Sequence, residues 1–84
     1  LSRLSSKNVE GSLALILQDF SRLYNAPRFR LPVTRVGLAS LAGCSKESAI
    51  NVLSRFHQDG IIELHDRDIN ILDPGRLEMV IRQG

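Results

Sequence analysis

Between Ser45 and Gln58 the chain sets short polar side chains on a helical spacing. At about 100° per residue, Glu47, Asn51, Ser54 and Gln58 fall along one line. Lys46, Ile50 and His57 flank that line on one side, and Ser48 and Arg55 on the other. Ala49, Val52, Leu53 and Phe56 fall opposite and must face a core. The outward stripe offers a cation, a carboxylate, a carboxamide and hydroxyls, all with short reach. Such groups can pair with the donors and acceptors that base pairs display in the major groove of a duplex. Each residue also has a plainer role open to it. Glu47 suits any first helical turn through the helix dipole, Lys46 and Arg35 can be solvated charges, and Ile50 can pack at the edge of the core.

Other chemistries find little footing. The sequence has no glycine-rich phosphate loop, no nucleophile elbow and no suggestively paired carboxylates, so no enzyme is expected and no catalytic residue is named. Cys44, His57 and His65 match no zinc-ligand spacing, and no metal site is expected. Cys44 is the single cysteine of the chain. That excludes an internal disulfide and fits a reducing compartment; a lone Cys is expected to act as a small apolar residue tucked inward.

The elements that would position the polar stripe can be read from periodicity and end signals. Val9, Leu13, Ile16, Leu17, Phe20 and Leu23 predict a helix from Asn8 to Tyr24, capped by Asn8 or Ser6 and ended by Asn25 and Pro27. Phe29 to Val33 allows a brief edge strand, since Pro32 cannot donate to a ladder. Thr34 caps a short helix that Gly43 closes, and Ser45 caps the next, which runs to about Asp59 before Gly60. Ser45 also leaves the positive end of that helix free to face a phosphate. Ile62 and Leu64, then Ile69 and Ile71, alternate as strands around the polar turn His65-Asp66-Arg67-Asp68. Asp73-Pro74 opens a last helix with Leu77, Val80 and Ile81 on its apolar face. Two helices joined by a turn of about three residues and followed by a hairpin make a winged helix-turn-helix, mainly α with a small β-hairpin wing. The expected layout is one domain over 1–84, with the helix-turn-helix at 34–59, the wing hairpin at 61–72 and the C-terminal helix at 73–82.

Within that frame the stretch Thr34-Arg35-Val36-Gly37-Leu38-Ala39-Ser40-Leu41-Ala42-Gly43-Cys44-Ser45-Lys46-Glu47-Ser48 resembles the helix-turn-helix signature of the Crp/Fnr family of transcription regulators. A Thr-Arg pair opens the first helix, and a Gly-x-Ser turn leads to a basic residue, Glu and a hydroxyl residue. Leu53-Ser54-Arg55-Phe56, Gly60-Ile61-Ile62 and Ile71-Leu72-Asp73-Pro74 are also similar to the family, so the likeness covers roughly residues 30–77. The resemblance implies a sequence-specific DNA-binding domain with the 45–59 helix in the major groove. It implies Lys46 and Glu47 reading bases and Arg35, Ser45 and Ser48 meeting phosphate; from their own places, Ile50 and Asn51 are expected to read bases, Thr34 to meet phosphate, and Arg67 at the wing tip to meet phosphate or the minor groove. Ile50 and Asn51 depart from the family pattern, where a small or polar residue and an Arg are usual. A thymine methyl for Ile50 and an adenine for Asn51 would give a half-site unlike the family's best-known ones. The family further implies a homodimer, contact with RNA polymerase about Asn25 to Arg30, and an upstream sensory region that holds the cyclic nucleotide or other effector. No cofactor is expected in this stretch, of which residues 1–7 would be the end of the linker.

Composition sets the outer bounds. The chain has 84 residues, and 43% of them are hydrophobic and 24% charged, which suits one modest core and no deep cleft. It opens on Leu1, so a longer protein with a partner domain upstream is expected. There is no signal-peptide pattern or apolar span, and a cytoplasmic protein without membrane contact is expected. Net charge is +2. Residues 1–60 carry eight Lys/Arg against four acids, and residues 61–84 three Arg against five acids, so the basic excess lies with the helix-turn-helix. The competing expectation is a winged helix that binds only protein, which calls for an apolar or acidic outer face on the 45–59 helix.

Overall fold

The computed structural model describes residues 8–83. Its elements are α1 (Val9–Tyr24), β1 (Arg28–Arg30), α2 (Arg35–Ala42), α3 (Lys46–Gln58), β2 (Ile62–His65), β3 (Asp68–Ile71) and α4 (Pro74–Gln83). The linker assigned to residues 1–7, and Ser6 as a cap, lie outside the described residues. Each helix starts where a side chain satisfies an orphan amide. Asn8 Oδ1 accepts from Gly11 N at 2.7 Å, Thr34 Oγ1 from Gly37 N at 3.2 Å, Ser45 Oγ from Ser48 N at 3.1 Å and Asp73 Oδ1 from Arg76 N at 3.1 Å.

Three helices end by one device. After α2, Gly43 N donates to Ser40 O and Cys44 N to Ala39 O; after α1, Asn25 and Ala26 bond Arg22 and Ser21; after α3, Gly60 and Ile61 bond His57 and Phe56. This double closure needs a left-handed residue, supplied by Gly43 (φ 72°), Asn25 (φ 55°) and Gly60 (φ 75°). A Cβ at Gly43 would meet nothing within 4 Å, so Gly43→Ala bears only the backbone penalty, about 1–2 kcal/mol. For a domain of this size a fall in Tm of roughly 5–15 °C is expected, and a thermal melt followed by circular dichroism checks it.

The wing holds one strand more than the two that alternation predicts. β3 is central, in the order β1-β3-β2, with both neighbours antiparallel. Arg28, Phe29 and Arg30 pair with Asn70, Ile69 and Asp68. The edge strand therefore sits at 28–30 rather than 29–33. Leu31 N turns to Arg67 O at 2.7 Å, and Pro32 has no amide with which to extend the ladder.

Seventeen apolar residues form one core, from Leu13, Ala14 and Leu17 of α1 through Leu38, Leu53 and Phe56 to Ile62, Ile69, Leu77 and Ile81; no polar or charged residue among those described is buried. The stripe Ala49, Val52, Leu53 and Phe56 is buried as its spacing requires, and Cys44 is half-buried against the core edge. α1 and α4 are joined at their surface by Gln18 Nε2 donating to Glu78 Oε1 at 2.8 Å. That bond, opposed by desolvation and helped by Arg82 and Arg22, holds the Glu78 carboxyl below the ordinary carboxylate range. The contact contributes stability above the ordinary range and loses it as pH falls through the lowered value. No helix among the described residues is long and apolar enough to cross a membrane.

Candidate nucleic-acid interface

The turn between α2 and α3 is three residues, Gly43 to Ser45, and it delivers the first turn of α3 to the surface. Ser45, Lys46, Glu47, Ile50 and Asn51 are exposed there and Ser48 is half-buried. The hydroxyls of Ser45 and Ser48 are coupled, with Ser45 Oγ donating to Ser48 Oγ at 3.0 Å. The Ser48 proton is thereby left to an outside acceptor. Among the described residues the side chains of Lys46, Glu47 and Asn51 have no hydrogen-bond or ion-pair partner. They are solvated donors and acceptors with no internal bond to break on docking. Ile50 is 38% exposed, so part of its side chain is open to solvent beside them.

The remaining residues named from sequence stand beside this turn, with partners that spacing did not show. Thr34 is spent as the cap of α2 and remains exposed. Arg35 Nη2 donates to the carbonyl of Asp66 at the wing tip, which brings the start of α2 and the wing together. Asp66 is itself in the left-handed region at φ 57°. A guanidinium has five N–H donors in a rigid fork, so Arg35 can hold the wing and still face an anion. Arg67 also has a partner within the fold. Its guanidinium turns back on Leu31 O, at 3.2 Å from Nε and 2.9 Å from Nη2, and is half-buried. These bonds tie the wing to the end of β1. Asp66 and Asp68, both exposed, flank it.

One further residue enters the surface. Arg55, left as a flank of the polar stripe by its spacing, forms an ion pair with Glu10 of α1, Nη1 to Oε2, at 2.8 Å. Glu10 and Arg55 line, with Asn8, Val9, Ser48, Asn51 and Val52, an open groove of about 370 Å³ between α1 and α3. The α3 end of the wing is tied by Leu64 N donating to His57 Nδ1 at 3.2 Å. No group of three or more His, Cys, Asp or Glu among the described residues could hold a metal ion.

Comparison with known proteins places this arrangement. Residues 12–80 match the Crp-like helix-turn-helix domain. The chain is 32% identical over 75 residues to the transcriptional activator protein FnrA of Stutzerimonas stutzeri, covering 83% of this chain and 31% of that protein. It is 32% identical over 82 residues to electron transport regulator A of Shewanella oneidensis, covering 92% and 33%. The chain therefore spans about a third of the length of these relatives. Among solved structures, FixK2 of Bradyrhizobium japonicum superposes with a TM-score of 0.85 at 25% identity, over 92% of this chain and 40% of that one. The chain belongs to the Crp/Fnr family as its Crp-like helix-turn-helix domain.

Proposed function

We propose that this domain binds DNA in a sequence-specific manner, with α3 entering the major groove by its N-terminal turn. The carrying observation is the set of unpartnered side chains at Lys46, Glu47 and Asn51, held out by a capped helix whose opposite face is fully committed to the core. Thr34, Arg35, Ser45 and Ser48 set the register on the backbone, and Lys46, Glu47, Ile50 and Asn51 read base edges. Arg67 acts through wing position more than by contact.

The relatives, named as a transcriptional activator and a regulator, support a regulatory role rather than catalysis. In the longer protein two such domains act as a homodimer in the cytoplasm, on half-sites about one helical turn apart. Any effector, a cyclic nucleotide or another, binds outside this domain. The segment Asn25 to Arg30 is the surface offered to RNA polymerase.

Selection from a random duplex pool at low salt, with two copies of the chain tethered, tests the reading. Enrichment of a palindrome is expected, with half-sites that differ from the usual family sequences at the positions facing Ile50 and Asn51. A second reading, a winged helix that docks only on protein, draws on Val36 and Leu41 of α2, each 60% exposed. It takes the lead if no sequence is enriched and the chain binds no duplex at low salt.

A further inference from the structure

The Glu10–Arg55 pair lies in the groove that Ser48 and Asn51 also line. Arg55 follows Asn51 by one helical turn, about 6 Å along the axis. If Ser48 meets a phosphate and Asn51 a base, the same strand passes over this groove and within reach of the guanidinium. The pair is open to solvent, with Arg55 53% and Glu10 38% exposed, and an exposed pair is weak and screened by salt. Glu10 is the single acid lining the groove. A phosphate ester presents the same anionic oxygens to the guanidinium fork that Glu10 does.

Resting on the DNA-binding reading above, we infer that Arg55 is a further backbone contact, and that it exchanges the Glu10 carboxylate for a DNA phosphate when α3 docks. Exchange has a signature that a simple phosphate contact lacks. A free cation that meets DNA displaces a condensed counterion and steepens the salt dependence by about 0.9 per contact. Trading one anionic partner for another is nearly salt-neutral. Arg55 therefore adds affinity in the native chain without adding to the salt slope, and Glu10 masks it.

The test is a double-substitution cycle on the 84-residue chain, with Glu10→Gln, Arg55→Gln and both together. Binding to a defined duplex of about 20 base pairs is followed by fluorescence anisotropy across about 20 to 150 mM KCl. Glu10→Gln is expected to tighten binding roughly threefold at low salt and to steepen the slope by about 0.9. Arg55→Gln is expected to weaken binding severalfold with the slope unchanged. The double variant should return to the Arg55→Gln affinity and the native slope. Melting of each variant identifies any loss of fold, and Glu10→Ser then takes the place of Glu10→Gln.

The inference is overturned if the Glu10→Gln gain survives removal of Arg55, because Glu10 then repels DNA directly. It is equally overturned if Glu10→Gln binds as the native chain does. In both cases the native chain still binds duplex and the proposed function stands. If no variant and no native chain binds duplex at low salt, the proposed function itself has failed.

Discussion

Phe56→Ala is expected to lower the unfolding free energy by about 3–5 kcal/mol. Phe56 is 1% exposed and among the largest fully buried side chains. It sits at the C-terminal end of α3, under a surface shared with Ile61, Val80 and Met79. Its own carbonyl accepts the bond from Ile61 N at 3.0 Å that closes the helix. Truncation leaves a cavity where α3, α4 and the start of the wing meet. A domain of 84 residues has a total stability of roughly 4–13 kcal/mol, so the variant lies near the edge of folding. Urea unfolding checks the value. A loss below about 1 kcal/mol would mean that the helices close around the site and that α3 is held from elsewhere.

Glu47→Ala tests the opposite face of the same helix. Glu47 is exposed in the first turn of α3, and no described residue pairs with it. Its removal should cost the fold little beyond the few tenths to 1 kcal/mol that an acid gains from the helix dipole. A carboxylate that accepts from a cytosine amino group discriminates by about 1–3 kcal/mol, roughly 5- to 150-fold. The expected result is relaxed preference at one base pair of each half-site, with the other positions and the salt slope unchanged. Selection with the tethered variant measures it. A uniform fall in affinity over all sequences would instead make Glu47 a structural acid and move base reading to Lys46 and Asn51.

These two residues also mark how far the sequence could be read. Phe56 belongs to a periodic stripe, and periodicity is local, so its burial was legible. So were the caps Asn8, Thr34, Ser45 and Asp73 and the left-handed closures at Gly43 and Gly60, each a matter of one turn of chain. The exposure of Glu47 followed from the same arithmetic. The pairings across the chain were not legible. Arg35, Arg55 and Arg67 look alike in sequence, each a cation free to meet solvent or phosphate. In the fold one holds the Asp66 carbonyl, one the Glu10 carboxylate and one the Leu31 carbonyl. No spacing encodes such partners, because they depend on how α1, β1 and the wing come together. β1 escaped correct placement for the same reason, since its ladder is supplied by β3, across the whole helix-turn-helix.

That last contact gives the domain a neck. Arg30 and Asp68 face each other across β1 and β3, and just beyond them Leu31 and Arg67 bond in both directions, N–H to O and guanidinium to O. Everything from Pro32 to Asp66 is one long loop whose ends meet there, and both helices of the motif lie inside it. Closing such a loop costs chain entropy that rises slowly with its length, and the neck bonds offset that cost only once both ends have arrived. The neck and the two helices are therefore expected to open together in hydrogen exchange. Three residues of strand thus help to hold together the ends of the segment that carries α3.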